Sequence, residues 1–93
     1  MIVGVLFLSI FLNGVVTIKD KRQIVKSIKD RVRHRFNVSV TELDDGRKLK
    51  IVHFGFSTVA NAGIDIIRVF GKIEDFIVEN YGVEIIQSER KLV

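Results

Sequence analysis

The first twelve residues, MIVGVLFLSIFL, are almost all apolar, and this run limits what the chain can fold into more than any other feature. The run is too short to cross about 30 Å of hydrocarbon, no basic segment precedes it, and no A-x-A-like cleavage site follows it. We therefore expect a β-strand that is buried on both faces, rather than a signal peptide or a membrane span.

A helix is predicted directly after this strand. Asn13-Gly14 ends the apolar run, and Thr17 with Asp20 resembles a capping box, so the helix should begin near Ile18. Its apolar side chains recur at helical spacing and predict a stripe that faces the core: Ile18, Val25, Ile28, Val32 and Phe36, with Ile24 at its edge.

The second half of the chain repeats the strand-helix-strand pattern. Residues 37–43 and 48–59 are rich in β-branched side chains, and Asp44-Asp45-Gly46 between them is a hairpin signal. Asn61 can cap a second helix, and Gly82 can end it before a last, less buried strand within residues 81–93. The apolar positions of this helix again fit a 3.6-residue period: Ile64, Ile67, Phe70, Ile73, Phe76 and Ile77.

The element order βαββαβ predicts an α+β fold of the ferredoxin-like, split βαβ type. With right-handed crossovers, this order gives a four-stranded antiparallel sheet with two helices on one face. The first and third strands are the most apolar, so we expect them in the centre. A chain of 93 residues without proline or low-complexity segments fits a single domain over residues 1–93.

Two motifs give the chain a resemblance to a known family. TIKDKR at residues 17–22 and RFNVSVTE at residues 35–42 resemble the S-L-K-E-K-R and R-F-N-V-S-V-x-E patterns of the YlxP-like family of uncharacterised bacterial proteins. Thr17, Ile18 and Asp20 are conservative departures from that pattern. The resemblance implies a ferredoxin-like fold and genes that neighbour those for transcription elongation and ribosome maturation. It implies no activity, and contact with RNA or the ribosome follows only by association.

Positive charge is concentrated on the first helix. Residues 19–35 hold eight basic and two acidic side chains, a net +6, whereas the whole chain is +4, so the remainder carries −2. Five cations with 3,4,3,4 spacing should form one line along the helix, here called the basic ridge: Lys19, Arg22, Lys26, Lys29 and Arg33. We expect no acid among them. Such a line is typical of a site for an RNA phosphate backbone, but it also suits a solvated face that keeps a small domain soluble.

Residues of the two family motifs leave further alternatives open. Lys21 and Arg22 could contact a ligand phosphate, whereas Asn37 and Glu42 could equally fix the start of the second strand and pair with the helix.

The first strand is apolar on the face that no helix should cover. In a two-layer fold its Val5, Phe7 and Phe11 would be exposed, so they predict self-association as a homodimer. Phe54 and Phe56 of the third strand could instead stack on RNA bases, but phenylalanines in central strands usually belong to the core.

No catalytic constellation is evident. The spacing of His34 and His53 does not place them as metal ligands or as a base beside a nucleophile, and Asp44 and Asp45 are turn residues. The chain has no cysteine and no Gly-rich phosphate loop. We therefore expect a cytoplasmic, non-catalytic protein without metal, cofactor, membrane partner or small-molecule substrate. It would bind RNA or the ribosome through the basic ridge, or alternatively act as a homo-oligomeric module through its open sheet face.

Overall fold

The computed structural model describes residues 1–43 and 47–93 and has the predicted element order. The hairpin signal at Asp44-Asp45-Gly46 lies outside the described residues. The elements are β1 Ile2–Phe11, α1 Ile18–Arg35, β2 Ser39–Glu42, β3 Ile51–Ala60, α2 Gly63–Tyr81 and β4 Glu84–Leu92. The four strands form one antiparallel sheet in the order β2-β3-β1-β4. The split βαβ fold and the central position of the first and third strands are thereby confirmed.

β1 presents two different faces. Leu6, Leu8 and Ile10 are fully buried in the core with the helices, whereas Val5 on the other face is 41% exposed and Phe7 is only partly buried. The expectation of a strand buried on both faces is therefore wrong for the single chain. The physical reason is that both helices pack on the same side of the sheet, so one sheet face has no second layer.

α1 begins where the capping box predicts. The Thr17 Oγ1 accepts a hydrogen bond from the Asp20 backbone N–H at 3.1 Å, and the Asp20 carboxylate accepts one from the Thr17 N–H at 3.0 Å. A second backbone donor, the Val16 N–H, contacts the same carboxylate. These backbone hydrogen bonds favour the ionised form and lower the pKa of Asp20 below its usual value.

The apolar core stripe of α1 starts at Val25, about two turns later than predicted. Val25, Ile28 and Val32 are buried, but Ile18 is 54% exposed. Helical Cα–Cβ bonds tilt toward the N-terminus, so a side chain in the first turn leans off the end of the helix. Lys21 is buried instead, and its Nζ donates to the Lys48 carbonyl at 2.7 Å while its methylenes cover the core.

α2 differs from prediction at its start and ends as expected. The N-cap residue is Ala62, which makes no side-chain cap hydrogen bond, so the assignment of Asn61 as the cap is wrong by one residue. Gly82 adopts the left-handed conformation, with φ of 60°, that ends the helix.

The buried stripe of α2 includes one isoleucine that the prediction omitted. Ile66, four residues before the buried Phe70, lies in the core, whereas Ile64 and Ile67 are exposed. Counted back from Phe70, the buried stripe continues four residues earlier, at Ile66. The sequence equally allowed a step of three residues, to Ile67.

Candidate interaction surfaces

The sheet face opposite the helices is open and carries a group of exposed apolar side chains. Val5, Leu43, Ile86 and Val59 on this face are between 41% and 53% exposed. We define the open sheet face by its apolar side chains: Val3, Val5, Phe7, Phe11, Leu43, Ile51, Val59 and Ile86. The three residues predicted for self-association, Val5, Phe7 and Phe11, therefore lie together on one uncovered surface.

The size of this face follows from its strands. Two strands have ten residues, one has nine and one has four, which at about 3.3 Å per residue and about 4.8 Å per strand gives roughly 500 Å² of sheet. A standard interface buries about 800 Å² per partner, and the largest apolar patch of a typical monomer covers about 300–600 Å².

A partly buried polar pair lies within the open sheet face. Ser9 is 2% exposed, and its Oγ lies 2.7 Å from the Nδ1 of His53. The His53 ring stacks on Phe7, with ring centroids 5.7 Å apart and an interplanar angle of 17°. Sequence spacing does not reveal this pair, because 44 residues separate its members. The signal that could have found it is the register of β1 on β3, in which Ser9 is directly opposite His53.

The basic ridge is partly neutralised by neighbouring acids, which corrects the expectation that no acid would lie among its cations. Lys26 Nζ lies 2.7 Å from the Asp30 carboxylate, and Lys29 Nζ lies 3.9 Å from that of Glu42. The contact with Lys26 lowers the pKa of Asp30. Glu42 belongs to β2, so the sequence spacing along α1 could not reveal it.

The remaining ridge cations fall into two groups. Arg33 donates to the Val40 carbonyl at 2.9 Å, which ties the end of α1 to β2. Lys19 and Arg22 are exposed and make no ion pair within residues 1–43 and 47–93. The ridge cations without an ion pair in the described residues are therefore at the start of α1, where Lys19 also lies near the Asp20 carboxylate.

The remaining candidates from the sequence are two phenylalanines of β3 and a histidine of α1. Phe54 and Phe56 are buried at 0% and 2% exposure and face the helices, so they belong to the core and cannot stack on bases. His34 is exposed near the end of α1. Within the described part of the chain, no group of His, Asp and Glu side chains could hold a metal ion, and no helix is long and apolar enough to cross a membrane.

Comparison with known proteins places the sequence in a family and the structure in a fold. The family described as "Protein of unknown function (DUF503)" matches residues 3–90. No curated protein matches the sequence significantly.

Similar solved structures share the fold at low identity. A de novo designed protein with ferredoxin fold matches all of this chain and 84% of its own, at 16% identity and a TM-score of 0.59. A dimeric ferredoxin-like protein from an uncultured marine organism matches all of this chain and 96% of its own, at 10% identity and a TM-score of 0.54. A chlorite dismutase-like protein matches 99% of this chain at 12% identity and a TM-score of 0.62, and the chain spans only 44% of that protein's length. At these identities the likeness establishes the ferredoxin-like fold alone.

Proposed function

We propose a function from the surfaces of the molecule, because the chain belongs to the DUF503 family, which is described only as of unknown function. The protein is a cytoplasmic, non-catalytic interaction module that works as a homodimer, and the open sheet face is its subunit interface. The observation that carries this proposal is the apolar side of β1, where Val5, Phe7 and Phe11 have no covering layer.

Burial of this face supplies the driving force for association. Removing apolar surface from water stabilises an assembly by about 25 cal/mol per Å². A second copy of the chain can bury this face most simply, because a two-fold axis packs the apolar strands of the two copies against each other.

The charges beside the apolar patch are self-complementary. Glu89 and Lys91 of β4 are paired in register with Phe7 and Val5, so both belong to the open side of the sheet. A two-fold axis can bring Glu89 of one copy to Lys91 of another, because the two charges are opposite and two residues apart. The ferredoxin-like neighbour with a TM-score of 0.54 is described as dimeric, which is consistent with a homodimer of this fold.

Val5→Asp tests the interface. A carboxylate in the middle of the apolar face must lose its hydration on association, so the variant should be monomeric. The matched control is Val78→Asp on α2, because Val78 is 43% exposed and Val5 is 41% exposed. Light scattering coupled to size-exclusion chromatography should give twice the chain mass for wild type and the control, and the chain mass for Val5→Asp. A wild-type protein of single-chain mass at 100 µM would contradict the proposal.

A second candidate function is RNA or ribosome binding through the basic ridge. One observation favours it, namely the exposed pair Lys19 and Arg22 at the start of α1, within a segment that carries +6. The resemblance to the YlxP-like family, with its gene neighbourhood, points in the same direction. Phosphate contacts by lysine and arginine are the usual source of such binding.

The double variant Lys19→Glu, Arg22→Glu tests this second function. Anisotropy of a labelled single-stranded RNA should show wild-type binding that weakens steeply with salt and is abolished in this variant. Lys26→Glu with Lys29→Glu should weaken binding less, because both lysines already lie beside carboxylates. The control Lys50→Glu, Lys72→Glu makes the same charge change at exposed positions off the ridge. Equal losses in the control and in Lys19→Glu, Arg22→Glu would exclude the ridge as the site.

A further inference from the structure

A depression of about 410 Å³ lies in the open sheet face where β4 departs from regular register. The register shift occurs between Ser9 and Ile10 of β1, and Ile86 and Gln87 of β4 line the depression at this point. Its volume is within the range of small-molecule sites, which is about 300–1,000 Å³.

The depression has a fixed polar floor. The buried Ser9 hydroxyl and the His53 Nδ1 are 2.7 Å apart, and Phe7 supports the ring from one side. When the hydroxyl donates to Nδ1, the neutral ring carries its proton on Nε2 and offers a donor to a ligand. The ring is therefore held in place by two contacts that leave its other nitrogen for binding.

The walls are apolar and the rim is basic. Ile51 and Ile86 provide the walls, and Arg47, Lys48 and Gln87 line the remainder. Among the described residues that line the depression, Lys48 supplies positive charge and none carries a carboxylate. The depression therefore combines hydrogen-bond donors and positive charge with an apolar surface.

The rim is anchored from beneath. The Lys48 carbonyl accepts a hydrogen bond from the buried Lys21 Nζ at 2.7 Å, so the backbone that carries Lys48 is tied to α1. A rim fixed in this way loses less conformational entropy when a ligand binds.

We propose that this depression binds a small organic anion, whose carboxylate or phosphate contacts His53 and Lys48 while an apolar body packs between Ile51 and Ile86. The floor, walls and rim all come from one chain, so the site does not depend on the proposed dimer. In the dimer, the second copy would cover the same face and shield a bound ligand from water.

Titration of isotope-labelled protein with phenyl phosphate and with benzoate, followed by NMR, tests the site. We expect saturable shifts of the His53 ring and Ile86 methyl signals with at least one of these probes. Inorganic phosphate should bind at least tenfold more weakly than phenyl phosphate, because it leaves the apolar walls empty. Equal affinity for the two phosphates, or no saturable shift with either organic anion, would overturn the proposal.

Two exposed basic residues provide variants that should fold normally. Lys48→Ala should raise the Kd of the organic anion about tenfold, whereas Lys72→Ala on α2 should leave it unchanged. His53→Gln should also raise the Kd, whereas His34→Gln should not. Equal changes in Kd within the lysine pair or within the histidine pair of variants would contradict the assignment of the site to this depression. Binding should persist in monomeric Val5→Asp, which separates a failure of this site from a failure of the dimer.

Discussion

Gly4 of β1 lies directly beneath α2, and the side chains of that helix leave no room for a Cβ at this position. A Cβ at this position would come within 2.2 Å of the Ile66 Cγ2 and 3.2 Å of the Phe70 ring. Both neighbours are fully buried, and a β-branched isoleucine in a helix has little rotamer freedom. We expect Gly4→Ala to lower the free energy of unfolding by about 1–3 kcal/mol, measured by urea denaturation.

Gly71 of α2 is the matched control, because no heavy atom lies within 4 Å of a Cβ built there. Alanine has the higher helix propensity, so Gly71→Ala should raise the free energy of unfolding by about 0.5–1 kcal/mol. A neutral or stabilising Gly4→Ala would show that α2 does not pack closely on β1.

Among the elements, α1 shows which parts of the structure follow from local sequence. The capping box predicts its start at Ile18, and apolar periodicity predicts the burial of Val25, Ile28 and Val32, because both signals act within one or two helical turns. The burial of Lys21 could not be predicted in this way. It depends on the Lys48 carbonyl, which is 27 residues away and becomes a neighbour only when the sheet has formed.

The candidate surfaces likewise combine features that local sequence predicts with features that depend on contacts between residues distant in sequence. The spacing of the basic ridge follows from α1 alone, but the partner of Lys29 is Glu42 on β2. The Ser9–His53 pair likewise depends on the register of two strands that are distant in sequence. The open sheet face could be predicted, because it requires only an apolar first strand and a fold with helices on one side.

The whole molecule combines a short chain with an exposed apolar face. Folding of 93 residues buries a smaller fraction of surface than folding of a larger domain, so its stability is correspondingly limited. Dimerisation through the open sheet face would add apolar burial that the single chain lacks. The polar Ser9–His53 pair would then be enclosed, and its hydrogen bond is already made before association, so neither atom of the pair is left unpaired.

The thermal stability of a dimer depends on protein concentration, which gives a test on the whole molecule. Because a dimer unfolds to two chains, mass action raises its melting temperature with concentration, by about 3–4 °C per tenfold for a molecule of this size. We expect this dependence in calorimetric scans of wild type and of Val78→Asp, and a lower, concentration-independent melting temperature for Val5→Asp. If wild type melted at one temperature from 5 to 500 µM, the folded protein would be a monomer, and the open sheet face would remain exposed to water in the native state.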